Sequence, residues 1–491
     1  MHLAQRALFW PLTVLILVIG AVPRLYDLGG PSYWTDEVLT YFRASGPLDE
    51  VIDNLLKAGN QGPVYYMMMR VLPHDTEFWM RLPSALLGLA GIALFIAFTH
   101  DLYKRPDLAL WAGALLAANP FHVWLSRTAR AYALLFVLTL IVLWITLRLS
   151  RNANDEQSDR WWWAAFIIAS MLAYLTHYAA GGLAVAQIVL FGVLLPQGRA
   201  FWVRWFAAQT VATIPFGLWV LGIITAFEET HPGVSPTPGL ADLPLTLWNL
   251  GIGYVGDFTP LIIPALVIVS VGVLAGMAFA LRQPDWIDRY WLALIIVSLV
   301  PVFVISFAAT GVYLDRYFIV FLPAALLLLV RGWDALSAQW VAIIMAVLVL
   351  SALGILTASF ADDAHHREDW RAVTDYVALN AAEGDGYLLE RPHIIRAFRH
   401  YYVDDAVDGS LIHDLNAEPD TTTLEAATER IWVIYRNPIE DLHRLTIRPD
   451  FDPFDPELSS VGAWLAEREA QVISMEKFNG VTVLLVDHTR E

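Results

Sequence analysis

Two adjacent carboxylates, Asp36 and Glu37, follow the first long apolar run, in Arg24-Leu-Tyr-Asp-Leu-Gly-Gly-Pro-Ser-Tyr-Trp-Thr-Asp36-Glu37-Val-Leu-Thr-Tyr-Phe42. Directly after a membrane span they belong at a membrane surface, beside Tyr33 and Trp34, whose rings suit the headgroup level. Acids at that depth are costly unless solvated, paired or used. One of them can act as general base on an acceptor hydroxyl, a task that asks only for position and a tuned pKa. The pair would equally open a helix, Asp36 as its cap and Glu37 in the first turn. The two readings are compatible.

The cations come next. Asn119-Pro-Phe-His-Val-Trp-Leu-Ser126-Arg127-Thr-Ala-Arg130-Ala-Tyr132 enters an apolar span. If its end is helical, Arg127 and Arg130 are three apart and share a face. Two guanidiniums with Ser126 and Tyr132 nearby can hold a phosphate by forked, charge-assisted bonds; the alternative is that they snorkel to lipid headgroups. Tyr313-Leu-Asp315-Arg316-Tyr317 repeats the arrangement at another membrane edge, where Asp315 and Arg316 could also neutralise each other. His177, in Thr176-His-Tyr178, is a further candidate or a satisfied polar residue. His365 and His366 stand among acids, which fits a metal site or an exposed linker.

As a set, these groups suit a lipid-linked sugar phosphate. Its leaving group is a phosphate ester, already acidic, so no strong general acid is required. Arginines stabilise the departing charge while a carboxylate activates the incoming hydroxyl. Glycosidases, by contrast, need a second carboxyl group to protonate the leaving oxygen. One base and one attack at the anomeric carbon would invert its configuration.

The elements that must position these groups are membrane helices. The chain has 491 residues, 57% hydrophobic and 16% charged, with mean hydropathy +0.52; a soluble domain carries roughly a quarter charged residues. It has no cysteine, which excludes disulfides, thiol catalysis and cysteine metal sites. The first apolar stretch lacks a clear small-residue cleavage site and reads as a retained span. Spans of about twenty residues are expected near 7–23, 83–100, 108–119, 132–149, 161–177, 182–195, 203–226, 259–281, 290–309, 314–330 and 340–360, about eleven in all. The third ends at the breaker pair Asn119-Pro120.

With the N-terminus inside, the inner segments hold Arg6; Lys104 and Arg105; Arg148, Arg151 and Arg160; Arg199 and Arg204; Arg282 and Arg289; and Arg331. An odd number of spans then puts the C-terminal part outside the cell. Arg24, Arg43, Arg70, Arg81, Arg127, Arg130 and Arg316 fall on outer segments, against the bias, and need a separate explanation.

Residues 24–82 form a long outer loop, with an amphipathic helix over 48–57. Three methionines, Met67 to Met69, follow it and read as adaptable packing or as a ligand surface. A Pro- and Gly-rich outer loop at 227–258 reads as a lid or as an idle connector. The chain divides into a transmembrane domain, 1–360, and an acidic domain, 361–491. The latter holds 12 Lys and Arg against 27 Asp and Glu, a net of −15 out of −17. That acidity argues against nucleic acid as a partner. Helices near 367–380, 393–400 and 459–470 and strands at 386–390, 430–435 and 481–486 predict a small α/β fold. No glycine-rich phosphate loop and no internal repeat is present.

These landmarks resemble the polytopic GT-C glycosyltransferases, in the bacterial and archaeal branch akin to protein O-mannosyltransferases and aminoarabinose transferases (glycosyltransferase family 39-like). The likeness rests on Arg24-Leu-Tyr-Asp-Leu ahead of Tyr33-Trp-Thr-Asp36-Glu37, Gln61-Gly-Pro63-Val-Tyr65-Tyr66, Arg81-Leu-Pro-Ser84 and the 119–132 segment, with Tyr313–Tyr317 and Asp369-Trp370-Arg371 as later echoes. It is strong over residues 20–185 and weaker to 375.

The resemblance implies a mainly α, multi-pass protein of the cell (inner or plasma) membrane with a small extracytoplasmic α/β domain. Its donor would be a polyprenyl-phosphate sugar and its acceptor a glycan, lipid or protein. It makes Asp36 the catalytic base with Glu37 supporting. It turns Arg130, Arg127, Tyr132 and Arg316 toward the donor phosphate, and places Arg24, Trp34, Gln61, Tyr65, Arg81, His177 and Tyr317 around the substrate. Relatives commonly carry His-Pro-Pro at Gln61-Gly62-Pro63 and an acid at Thr128, departures that bear on donor and acceptor contacts. Family members with monophosphate donors generally need no metal, so no cofactor is expected, a divalent ion remaining open. A transporter or lipid flippase, and a catalytically silent scaffold of the same fold, are the rival readings.

Overall fold

The computed structural model describes residues 2–58, 62–151, 159–226, 238–252, 262–282, 286–308, 313–361, 368–390, 392–402, 412–415, 424, 428–436, 454 and 460–487. Gln61, His365, His366 and most of the 227–258 loop lie outside them. The chain is mainly helical: α1 (His2–Leu25), α2 (Thr35–Ala44), α3 (Leu48–Ala58), α4 (Val64–Val71), α5 (Glu77–Tyr103), α6 (Pro106–Ala118), α7 (Pro120–Ser126), α8 (Tyr132–Arg151), α9 (Asp159–Thr176), α10 (Gly181–Val189), α11 (Arg199–Ala226), α12 (Asp242–Ile252), α13 (Ile262–Arg282), α14 (Trp286–Ala308), α15 (Leu322–Gly332) and α16 (Ala338–Ala361). Beyond them α17 (Trp370–Asn380), α18 (Pro392–Tyr401) and α19 (Ser460–Glu467) accompany five strands. Two compact units result: Met1–Leu28 with Arg43–Thr357, and Gly29–Phe42 with Ala358–Glu491.

In the first unit, seven of the described helices are long and apolar enough to cross a membrane: α1, α5, α8, α11, α13, α14 and α16. The short span expected at 108–119 is half of a bent pair, α6 and α7, which meet at 61° and could make an eighth crossing. The bend has a local cause. Pro120 denies α6 a continuing N–H, and the Asn119 side chain accepts from the His122 backbone N–H at 2.8 Å, capping α7. The spans expected near 161–177, 182–195 and 314–330 fall on shorter helices, the last two interrupted by a π-turn at Leu190–Leu194 and a 3-10 stretch at Asp315–Phe321.

Hydrocarbon offers helices little reason to associate, so packing and hydrogen bonds must do it. Phe95, Phe136, Leu143 and Trp291 are buried in the main core. A buried relay crosses the bundle: Tyr174 Oη donates to Gln209 Oε1 (2.8 Å), while Gln209 Nε2 (2.8 Å) and Trp205 Nε1 (2.9 Å) donate to Gln187 Oε1. Asp288, fully buried, pairs with Arg331 at 2.8 Å and accepts from Tyr103 Oη at 2.7 Å. α13 and α15 touch backbone to backbone, because a methyl group on Gly276 would run into the Leu328 carbonyl, and one on Gly332 into that of Gly272.

The amphipathic stretch is α3, one residue longer than expected at its C-terminal end. Val51 and Leu55 are buried with Tyr66 against Met67 and Trp219, whereas Leu48 and Ile52 are exposed. Met69 is fully buried and Met67 packs against the α3 cluster, so these two methionines serve packing. Within the 227–258 loop the structure has a helix, α12, because Thr246 and Asn249 both donate to the Asp315 carboxylate.

The second unit holds a five-stranded mixed sheet, β1 (Gly386–Leu389), β2 (Ile412–Asp414), β3 (Arg430–Arg436), β4 (Gln471–Phe478) and β5 (Val481–Asp487), in the order β2-β1-β3-β5-β4. β1 runs parallel to β2 and β3; β5 is antiparallel to β3 and β4. The three strands expected from sequence are β1, β3 and β5, which are buried almost throughout. β4, alternating and largely exposed, is an edge. Asp385 ties the turn before β1 to β3: its carboxylate accepts from Arg430 Nη2 at 2.6 Å, Trp432 Nε1 at 2.9 Å and the Ala382 N–H at 2.9 Å.

Two outcomes are expected. Gly276→Ala should destabilise the membrane unit by roughly 1–3 kcal/mol, read as earlier thermal unfolding in detergent, since the backbones must part. Burial alone would raise the Asp385 pKa, but the bonds from Arg430, Ala382 and Trp432 outweigh it and hold the carboxyl below the usual carboxylate range. Its contribution to stability is therefore complete above that range and is lost as pH falls through the depressed native value. Urea unfolding followed by tryptophan fluorescence from pH 7 to pH 3 should show an acid-side loss that Asp385→Asn flattens.

Candidate functional site

Three of the arginines that broke the charge bias are committed to backbone oxygen. Arg24, fully buried near the end of α1, donates to the carbonyls of Gly20 (2.7 Å), Ala117 (2.8 Å) and Leu116 (3.2 Å). It also reaches His122 Nδ1 at 2.7 Å, which fixes that imidazole as acceptor there. Arg127 donates to the Pro23 and Tyr26 carbonyls, at 2.8 and 2.6 Å, and Arg81 to that of Leu28 at 3.0 Å. Of these oxygens, those of Pro23, Leu116 and Ala117 lie in the last turn of a helix, where carbonyls lack intrahelical partners and the dipole favours a cation. Arg24 thus ties α1 to the end of α6, while Arg81 and Arg127 hold the end of α1 and the turn after it. Ser126 donates to the His122 carbonyl at 2.6 Å.

The remaining candidates converge elsewhere. Tyr132 opens α8, His177 follows α9, and Arg316 and Tyr317 lie in the 3-10 stretch before α15. The His177 ring is 4.6 Å from that of Tyr317 and 5.8 Å from that of Tyr132. The charges of Arg130 and Arg316 both act on it. His177 Nδ1 accepts from the Ala179 N–H at 3.2 Å, which puts the imidazole proton on Nε2. That Nε2–H and the Tyr132 hydroxyl are both buried with no hydrogen-bond partner among the described residues. Two unused donors within the electrostatic reach of two guanidiniums are groups that can receive an anion with several oxygens. Tyr65, fully buried, supports it from behind: its hydroxyl meets Ser84 Oγ at 2.9 Å, and Ser84 reaches the Arg130 carbonyl at 3.4 Å.

The acid pair belongs to the second unit. α2 begins at Thr35, since the Val38 N–H donates to the Trp34 carbonyl at 3.1 Å. Asp36, half-buried, and Glu37, buried, therefore fill the first turn, and Asp36 is not the cap. The cap comes from a residue that sequence reasoning missed. Glu368 Oε2 accepts from the Thr35 N–H and from Thr35 Oγ1, each at 2.6 Å. Nothing around Glu368 signals this, because its partner is 333 residues away. Among the described residues no three His, Asp or Glu side chains gather closely enough to hold a metal ion.

No protein-family model matches the chain, and no curated protein resembles it in sequence. Solved structures do resemble it in fold. ArnT from Cupriavidus metallidurans in the apo state matches over 98% of both chains with TM-score 0.54 at 13% identity. The chain has a GT-C-type fold. The ArnT structure bound to undecaprenyl phosphate also covers 98% of each chain, with TM-score 0.52 and 13% identity. The archaeal oligosaccharyltransferase AglB from Archaeoglobus fulgidus, in complex with an inhibitory peptide and a dolichol-phosphate, matches 87% of this chain and 69% of its own, with TM-score 0.53 and 11% identity. At these identities the likeness is one of fold, and the GT-C assignment accounts for the mainly helical membrane unit and the small C-terminal sheet together.

Tyr132→Phe separates stability from binding. Removing a buried hydroxyl that lacks a partner should leave thermal stability unchanged or slightly higher, while retention of inorganic phosphate as an anion probe, measured by native mass spectrometry, falls about tenfold.

Proposed function

We propose that the chain is an integral membrane glycosyltransferase that moves a sugar from a polyprenyl-phosphate donor to a hydroxyl of a glycan, lipid or protein acceptor at the extracytoplasmic face. The observation that carries this reading is the pair of unused buried donors, His177 Nε2–H and Tyr132 Oη, beside Arg130 and Arg316. Support also comes from two proteins of the same fold, one bound to undecaprenyl phosphate and one in complex with a dolichol-phosphate.

In this reaction Asp36 takes the proton of the acceptor hydroxyl, with Glu37 supporting it, and the oxygen attacks the anomeric carbon opposite the phosphate. The bond from that carbon to the phosphate oxygen breaks, and its electrons leave with the lipid phosphate. Arg130 and Arg316 stabilise the growing negative charge, His177 and Tyr132 donate hydrogen bonds to it, and Tyr317 packs against His177. No general acid is called for, because a phosphate ester leaves as a stable anion. One displacement inverts the anomeric centre.

The test is transfer by purified protein in nanodiscs from labelled polyprenyl-phosphate sugars to candidate acceptors. Asp36→Asn should cut turnover by about 10²–10⁴-fold and Arg130→Ala should weaken it through the donor. The product anomer, read by NMR, should be opposite to the donor's. Equal turnover by wild type and Asp36→Asn would overturn the assignment of the base; donor binding and movement without transfer would favour a flippase.

A further inference from the structure

Helix α2 is ten residues long, too short to persist by itself in water. The residue before Thr35 is Trp34, which has no side-chain oxygen to offer the first-turn N–H groups. Glu368 fills that role with a full negative charge at the positive end of the helix. The carboxylate is 8% exposed. Its Oε2 also accepts from Trp370 Nε1 at 3.2 Å, and its Oε1 pairs with Arg436 at 3.2 Å.

The same domain holds the chain leading into α2. Ser32 Oγ donates to the Glu368 carbonyl and to Asp369 Oδ1, each at 3.2 Å. The Tyr33 N–H meets the Tyr401 hydroxyl at 2.6 Å, and Arg371 donates to the Gly30 carbonyl at 3.0 Å. Residues 30–35 are thus hydrogen-bonded to α17, α18 and the two residues ahead of α17.

We infer that Glu368 is a positioning residue for transfer. Its carboxylate fixes the first turn of α2 and thereby the direction of the Asp36 side chain, one residue beyond the bonded Thr35. The C-terminal domain is then part of the catalytic machinery through this contact. The inference rests on Asp36 being the base. Glutamine at 368 keeps an acceptor for the Thr35 N–H but loses the charge, whereas alanine loses both, so the two variants divide hydrogen bonding from electrostatics.

The experiment uses the full chain in nanodiscs. Glu368→Ala should lower kcat about 10²-fold, the scale of a small misplacement of a reacting group, with donor KM unchanged. Glu368→Gln should recover part of that loss. Hydrogen exchange at the amides of residues 34–38 should quicken in Glu368→Ala, while α5 and α8 exchange as in wild type. Thr35→Val, which removes only the hydroxyl donor, should lower kcat in the wild-type background and change little once Glu368 is alanine. Wild-type kcat in Glu368→Ala with unchanged exchange at 34–38 would overturn the inference. If Glu368→Ala fails to fold, Glu368→Gln and Thr35→Val carry the same two readouts. An active Asp36→Asn would remove the base; exchange at 34–38 would still decide whether Glu368 holds α2.

Discussion

A positive charge taken out of water must be met by oxygen, and the membrane unit is arranged around that requirement. Arg24 satisfies it with three carbonyls, two of them at the end of α6, and Arg81 and Arg127 do so with carbonyls from the end of α1 and the turn beyond it. Each bond to a charged group contributes about 1.5–3 kcal/mol, enough in sum to offset desolvation. These clamps fix the chain leaving α1 and brace α7. Arg130 and Arg316 bring their charges to bear on His177, whose Nε2–H, like the Tyr132 hydroxyl, is buried without a hydrogen-bond partner among the described residues.

The C-terminal unit uses the opposite charge in the same manner. Asp385 and Glu368 each gather donors from distant segments onto one carboxylate, Asp385 joining the turn before β1 to β3 and Glu368 joining the start of α2 to Trp370 and Arg436. Buried carboxylates of this kind specify one arrangement, because removing any partner leaves a charge unmet. Both sit where sequence offers only an acid in an acid-rich domain.

What could be read beforehand was whatever leaves a local periodic trace. Long apolar runs gave seven of the expected spans among the described helices, Asn119-Pro120 gave the bend in the pair that could make an eighth, and the buried β1, β3 and β5 gave three of five strands. β2 is three residues long and β4 alternates, so neither stood out. The arginines were harder. A guanidinium binds a backbone carbonyl and a phosphate oxygen with the same geometry, so the carbonyl partners of Arg24 and Arg127 could not be foreseen from residue type or spacing. α12 was hidden in a Pro- and Gly-rich loop because its hold is tertiary, through Asp315. Glu368 was hidden for the simplest reason, a contact spanning 333 residues.

That span also has a temporal side. Residues 29–42 leave the ribosome more than three hundred residues before the domain with which they pack. At about 5–20 residues per second, the wait is roughly fifteen seconds to a minute. Throughout it α2 has neither its cap nor its packing partners, while α1 and the helices after it can already enter the bilayer. The segment that is translated almost first is therefore among the last to acquire its structure.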